Sequence, residues 1–269
     1  MRFVIEKKSV TKIGLARTLS KLGYCSRSHA AELIRSGRVG LGGKICRDPQ
    51  APALGKQAQI TVDGKLIEPQ KKIYFMLHKP RGLVTTAADE KGRETVYTLL
   101  TPPSAGETDP RITDRQAKDL PWLAPVGRLD KASEGLLLLT NDSEWAARIT
   151  APETHLDKTY HVQIGAVADE ELVQALVRGV KAKDGELLRA NEARRLRAGE
   201  KNCWLEIILD EGKNRQIRRM LEAVDIEVLR LLRVAIGPLQ LGNLAKSEHR
   251  ALSLEEKRML DRAMRKPRS

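Results

Sequence analysis

Residues 127–142 read Gly-Arg-Leu-Asp-Lys-Ala-Ser-Glu-Gly-Leu-Leu-Leu-Leu-Thr-Asn-Asp. The apolar run Leu136 to Leu139 has the length of a buried strand. Asp130 comes shortly before it, two residues after Arg128. A lone carboxylate held on a rigid support at the edge of a core is a candidate nucleophile or base. The same aspartate can equally cap a helix from a loop or pair with Arg128, and spacing alone favours that plainer role. The rest of the chain reverses the preference.

At 269 residues and 30.0 kDa the chain is long enough to bury a core and to hold more than one domain. A hydrophobic content of 41% fits a soluble globular protein. No apolar run approaches the roughly 20 residues that span a bilayer, and the first residues lack a secretion signal. No membrane partner is therefore expected. Cys25, Cys46 and Cys203 are far apart, with no Cys-x-x-Cys pair and no metal-ligand spacing. That pattern fits a reducing cytoplasm and excludes a structural zinc site.

The formal net charge is +13, and it is unevenly placed. Residues 1–70 carry thirteen Lys and Arg against five Asp and Glu, and residues 257–269 carry six against one. The 186 residues between them are neutral in sum. A neutral body flanked by two basic segments is suited to binding a polyanion, although lysine and arginine also serve plain solubility.

Residues 14–62 read as one small unit. Leu15, Leu19 and Leu22 have helical spacing. Ser26 can cap a second helix with Ala30, Leu33 and Ile34 on its inner face, ended by Gly37. Val39 to Leu41, a Gly42-Gly43 turn and Lys44 to Cys46 suggest a hairpin, and Ile60 to Val62 with Asp63-Gly64 add a strand and a turn. Arg17, Arg27, Arg35, Arg38 and Lys44 decorate this helix-helix-hairpin, where they can grip phosphates without reading bases. The segments Leu19-x-x-Leu-Gly-x-Cys-Ser-Arg, Ile34-Arg-Ser-Gly-Arg-Val and Val62-Asp-Gly resemble a small RNA-binding module. That module is shared by a protein of the small ribosomal subunit, tyrosyl-tRNA synthetase and several RNA-modifying enzymes.

The domain boundaries expected are 1–66 for this module, 67–72 for a linker, 73–252 for a larger domain and 253–269 for a basic helix and tail. Within the larger domain, strands are expected near Ile73 to Leu77, Thr159 to Ile164, Cys203 to Leu209 and Glu227 to Val234. Helices are expected over Ser143 to Ile149, Asp169 to Val180 and Asn214 to Val224, with Ser253 to Arg265 at the end. Residues 102–121 read as a polar surface insertion. Strands and helices do not alternate strictly, so the expected class is α+β with a mixed, mainly antiparallel sheet.

Four short motifs follow the module in order: His78-Lys-Pro-x-Gly82, Gly127-Arg-Leu-Asp130, Lys158-Thr-Tyr160 and Glu211-Gly-Lys-Asn-Arg-Gln-Ile-Arg218. Together, over roughly residues 14–255, they resemble the ribosomal pseudouridine synthases: type A, which serves the small ribosomal subunit, and types B, E and F, which serve the large one. The resemblance implies isomerisation of a uridine in folded RNA to its C-glycoside, without cofactor, metal or energy source. It implies that Asp130 is the catalytic aspartate, acting by addition at C1′ or by proton removal at C2′. Tyr160 matches the active-site tyrosine, whose ring can stack on a flipped uracil and whose hydroxyl can relay a proton. Arg128 matches an arginine that enters the RNA stack, or else it forms a structural ion pair. By the same resemblance Arg218 pairs with Asp130 and keeps it ionised, and Ile217 forms an apolar wall for the base.

Lys213, Arg215 and Arg219 are expected to touch phosphate, with a solvated helix face as their alternative. Lys79 and Pro80 read as support for the pocket. His78, where relatives often have Asn, is assigned no chemistry, and Glu134 reads as a cap or surface residue.

The expected partner is ribosomal RNA, whether naked, within a ribosomal particle or in an assembly intermediate, and the chain is expected to act as a monomer. The alternatives are a tRNA-acting enzyme of the same family, a non-catalytic RNA-binding assembly factor, and a hydrolase using Asp130 with Glu134. The assembly factor would be expected to have lost Asp130. The hydrolase would favour an aromatic-rich surface, and aromatics are only 3% of this chain.

Overall fold

In the computed structural model, which describes residues 13–53, 59–86, 92–100 and 121–265, Leu136 to Leu139 lie inside a strand, Glu134–Thr140, buried at every residue. The four leucines are 0% exposed, and each contributes about 2 kcal/mol through burial. Residues 101–120, which hold most of the expected insertion, and the tail 266–269 lie outside the described residues.

The chain forms two compact units. One comprises residues 1–72 with the short pieces 121–123 and 141–143, and the other comprises residues 73–120, 124–140 and 144–269. In the first, helices α1 (Leu15–Lys21) and α2 (Arg27–Arg35) precede strands β1 (Val39–Leu41), β2 (Lys44–Ile45), β3 (Ile60–Val62) and β4 (Lys65–Leu66), in the order β2-β1-β3-β4. The Ser26 hydroxyl accepts from the His29 amide at 3.1 Å and starts α2. Gly37, at φ +77°, lets the chain leave it. Leu15, Leu19, Leu33, Ile34, Val39 and Val62 close the core. Lys65 and Leu66, the last residues of the expected module, form β4 against β3.

The second unit is α+β. Its elements in order are β5 (Tyr74–Lys79), β6 (Ala124–Val126), β7 (Glu134–Thr140), α3 (Ser143–Thr150), β8 (Lys158–Ile164), α4 (Glu170–Arg178), β9 (Val180–Lys181), β10 (Leu187–Leu188), β11 (Glu192–Ala198), β12 (Cys203–Leu209), α5 (Gln216–Glu222), β13 (Val228–Ile236), β14 (Leu239–Gln240), β15 (His249–Ala251) and α6 (Leu254–Ala263). The main sheet runs β11-β12-β8-β13-β7-β5-β15, with β6 on β7 and β14 on β13. Among the described residues its pairings are antiparallel except for β13 with β7.

Val162, Leu205, Ile207 and Leu231 pack with Val173 and Leu176 of α4 and with Met220 and Leu221 of α5. A second cluster joins Met76, Leu136 and Leu138 to Trp145, Ile149 and Leu260. Ser253 forms a capping box with Glu256 at the start of α6.

Two local features depart from the sequence reading. Helix α5 starts at Gln216 rather than Asn214, because Arg215 adopts a left-handed backbone, φ +48°, and such a residue cannot sit inside a right-handed helix. Strand β11 has no counterpart among the expected strands. Its sequence, Glu-Ala-Arg-Arg-Leu-Arg-Ala, lacks an apolar face because it is a mostly exposed edge strand. Charged side chains suit such an edge, since they oppose pairing with another chain.

The parallel contact between β7 and β13 depends on Gly135. It lies at φ +109°, and a Cβ there would overlap the main-chain oxygen and nitrogen of Arg233. Gly135→Ala is expected to lose on the order of 3 kcal/mol or more, from strain and forced separation of the strands. Urea unfolding checks this, and an unchanged midpoint would show that the two strands do not need this close approach.

Candidate active site

Asp130 sits on the turn that leads into β7, and its side chain is 34% exposed. Five consecutive main-chain oxygens of that turn are engaged. The Thr85 hydroxyl donates to Leu129 O at 2.7 Å. The Lys79 ammonium donates to Asp130 O at 3.0 Å and to Ser133 O at 2.9 Å. The Gly82 amide donates to Lys131 O at 2.8 Å, and Arg218 Nη2 donates to Ala132 O at 3.1 Å. The motif His78 to Gly82 thus holds the neighbouring turn, in keeping with its expected role as support for the pocket. Lys79 is 0% exposed and gives its third proton to Pro80 O at 3.0 Å. Burial lowers its pKa to about 8, against the opposing pull of Asp130 and Glu134.

Asp130 opens onto a cavity of about 300 Å³ within the second unit. Arg128, Lys158, Tyr160, Arg215, Ile217 and Arg233 contribute to its wall. Tyr160 is carried by β8, opposite Ile207 of β12 and Arg233 of β13. Ile217 is 4% exposed, on the first turn of α5, and belongs to the core as well as the cavity. Lys158 reaches across to donate to Asp210 O at 2.9 Å. Burial, followed by the charge of Arg233, lowers its pKa.

The expected ion pair between Arg218 and Asp130 is not the one formed. Arg215 Nη1 stands 3.9 Å from Asp130 Oδ2. Arg218 instead spends its guanidinium on main-chain oxygens, those of Ala132 and of Val228, the latter at 3.4 Å. The reason is local. The left-handed backbone at Arg215 ends the loop from β12 with that side chain beside Asp130, whereas Arg218, one turn into the helix, meets the backbone of the turn. Asp130 still feels both cations, and its charge partly offsets the burial that lowers the Arg218 pKa.

Glu134 also differs from its expected place. It is 1% exposed rather than a surface cap. Arg230 grips it through two bonds of 3.2 Å, and Lys246 approaches to 2.9 Å. Burial raises its pKa, but the hydrogen bonds and charges of Lys246 and Arg230 outweigh burial and hold it below the ordinary value. A carboxylate neutralised in this way is not a second acid for hydrolysis.

Of the residues expected to touch phosphate, Arg17, Arg27, Arg35 and Lys44 are exposed. Arg38 forms a two-pronged pair with Asp63. Lys213 stands between Glu186 and Glu211, at 3.4 and 3.1 Å, and Arg219 pairs with Asp184 and Glu186. These three therefore have acidic partners, and apart from Glu211 those partners lie 25 or more residues away in the chain. Arg233 was missed by sequence reading. It is 6% exposed, lines the cavity and donates to Leu136 O at 2.7 Å. Its one sequence signal is that it stands, with Arg230, inside an otherwise apolar strand pattern.

Residues 73–223 match the family described as RNA pseudouridylate synthase, and residues 13–54 match the S4 domain. Ribosomal large subunit pseudouridine synthase B of Bacillus subtilis (strain 168) is 34% identical over 249 residues, covering 91% of this chain and 94% of its own. An uncharacterized RNA pseudouridine synthase of Aquifex aeolicus (strain VF5) is 34% identical over 255 residues, covering 94% of this chain and 95% of its own. A crystal structure of a pseudouridylate synthase superposes with a TM-score of 0.60 at 27% identity, over 92% of this chain and 99% of that one.

The hydrogen bonds of Lys79 give one direct expectation. Lys79→Met keeps the bulk of the side chain but takes the donor from Pro80 O and Ser133 O and leaves Asp130 O with the Ser133 amide alone, so stability falls by about 2 kcal/mol. Chemical denaturation monitored by circular dichroism checks it, and a loss under about 1 kcal/mol would contradict the role of the ammonium.

Proposed function

The chain belongs to the RNA pseudouridylate synthase family, and from that premise we propose that it isomerises a specific uridine of ribosomal RNA, with Asp130 as the catalytic carboxylate. One observation carries the reading. The carboxylate of Asp130 and the ring of Tyr160 share a single cavity, and the turn that aims the carboxylate is fixed at five successive main-chain oxygens. Preorganisation of this kind is what places a reacting group to within a fraction of an ångström.

The reaction breaks the bond between N1 and C1′, turns the uracil and joins C5 to C1′. N1 gains a proton and C5 loses one, so no atom is added and no electron acceptor is needed. A cavity of about 300 Å³ suits one nucleotide, not a stacked strand. The target base therefore leaves the RNA stack to reach Asp130, at an unstacking cost of a few kcal/mol. Tyr160 lies against the flipped uracil and Ile217 walls it. Arg128, exposed beside the cavity, fills the gap left in the stack. Arg215, 3.9 Å away, is the cation that faces the Asp130 carboxylate. Asp130 then acts on the ribose, either at C1′ as nucleophile or at C2′ as base.

Two findings support ribosomal RNA as the substrate class. The Bacillus subtilis relative is named for the large ribosomal subunit, and residues 13–54 match the S4 domain. The exposed Arg17, Arg27, Arg35 and Lys44 supply phosphate contacts, so affinity falls as salt rises. The acting unit in this reading is a monomer. Free Cys25, Cys46 and Cys203 suit the reducing cytoplasm.

Asp130→Asn keeps the shape of the side chain but removes its charge and basicity. It is expected to cut isomerisation on ribosomal RNA transcripts by on the order of 10⁴-fold or more, with folding and RNA affinity nearly intact. Turnover by the purified variant within tenfold of the parent would remove Asp130 from the chemistry.

A further inference from the structure

Arg233 lines the cavity and is 6% exposed. Its Nε–H is given to Leu136 O at 2.7 Å. Its Nη2 is closed off from solvent with no acceptor. Among the described residues its guanidinium makes no other hydrogen bond and no ion pair. The carboxylates of the cavity wall face other groups. Arg215 stands at Asp130, His155 at Asp210, and Lys213 and Gln216 at Glu211. Lys158, also on the wall, adds a second cation, whose bond goes to Asp210 O. A guanidinium is always charged and carries five N–H donors, of which Leu136 O takes one. A buried charge without a counter-ion is costly to the fold. The bond to Leu136 O anchors the side chain but does not explain the charge.

The strand register sets where that charge lies. Arg233 of β13 is the cross-strand partner of Tyr160 of β8, so the two side chains leave the same face of the sheet about 5 Å apart. Both line the cavity. A uracil lying on the Tyr160 ring therefore presents an edge toward Arg233. The phosphates of the target nucleotide stay with the RNA chain at the mouth, away from a side chain this deeply buried.

We propose that Arg233 is a second catalytic residue, donating to a carbonyl oxygen of the flipped uracil and stabilising the anion that the base becomes when its glycosidic bond breaks. This rests on the reading of Asp130 and Tyr160 as the site of isomerisation. Whether Asp130 adds at C1′ or takes the proton of C2′, the N1–C1′ bond breaks with its electron pair going to the base. The negative charge spreads over N1, O2 and O4. C5 of the anion then bonds to C1′. In the first route Asp130 leaves C1′ with its own electron pair, and in the second it returns the proton to C2′. C5 loses its proton and N1 gains one, so the base ends neutral. A fixed cation in a closed site meets such a transient charge without rearranging. The bound uracil is neutral before the bond breaks, so Arg233 acts on the rate and not on RNA affinity.

The test is the single-turnover rate of pseudouridine formation on ribosomal RNA transcripts, with RNA affinity measured over a range of salt, for the full chain and its Arg233→Met and Arg233→Lys variants. Circular dichroism establishes that each variant is folded. Arg233→Met should lower the rate by on the order of 10² to 10³-fold, with RNA affinity and its salt dependence unchanged. Arg233→Lys keeps a cation but loses the planar fork, and its rate should fall between those of the parent and Arg233→Met. A parental rate in Arg233→Met overturns the inference. So does weaker RNA binding with a flatter salt dependence, which would place Arg233 on a phosphate. An equal loss of rate in both variants also overturns it, since the charge would then not matter. Should Arg233→Met not fold, Arg233→Lys decides: a slower rate at parental affinity supports the role, and a parental rate or a loss confined to affinity refutes it. Full turnover by Asp130→Asn would instead refute the underlying reading of the site, independently of Arg233.

Discussion

The Nζ of Lys79 is closed off from solvent and has three protons to place. It places them on Pro80 O, Asp130 O and Ser133 O. With Thr85, Gly82 and Arg218 serving the remaining oxygens of the turn, each carbonyl from Leu129 to Ser133 has a donor. A turn with its backbone bonded in this way has little freedom to tilt, so the carboxylate it carries keeps its direction. A buried ammonium is costly to desolvate, and the charges of Asp130 and then Glu134 offset only part of that cost, since burial still holds the Lys79 pKa down to about 8. The arrangement depends on β7 and β13 lying close enough for Arg233 to reach Leu136 O, which Gly135 permits.

Around this polar knot the apolar chain does ordinary work. Leu136 to Leu139 hold β7 in the middle of the sheet, and β8 and β13 continue it to Tyr160 and Arg233. The cavity lies where the turn before β7, the start of β8 and the loop between β12 and α5 meet. A turn and a loop thus supply Asp130 and Arg215, while a strand and a helix supply Tyr160 and Ile217. Lys213 on the cavity wall and Arg219 of α5 both have acidic partners. Glu186 pairs with both Lys213 and Arg219, and Asp184 with Arg219, so the net field there is weaker than a count of arginines suggests.

The strands with strong apolar signals were legible from sequence, and so were the capped helices. Cys203–Leu209 alternates buried and half-buried residues, Leu136 to Leu139 are wholly apolar, and Ser26, Asp169 and Ser253 cap where their side chains allow. Strand β11 was not legible, because an edge strand need not carry an apolar face. The short hairpin of β9 and β10 is fixed by its place in the fold more than by its own residues. In the site, Asp130, Tyr160 and Ile217 were located through their motifs, and the cavity brings them together. The choice between Arg215 and Arg218 as partner of Asp130 was not legible, since it turns on one left-handed residue. Nor was the burial of Glu134. A glutamate reads as surface until Arg230 and Lys246, far downstream in the chain, are seen to close over it.

The central claim is that this chain places one pseudouridine in ribosomal RNA. Carbodiimide labelling with primer extension, applied to total RNA from cells with and without the gene, tests it at single-nucleotide resolution. The account predicts loss of one modified uridine in one ribosomal RNA. An unchanged ribosomal RNA map, or loss confined to transfer RNA, would contradict it.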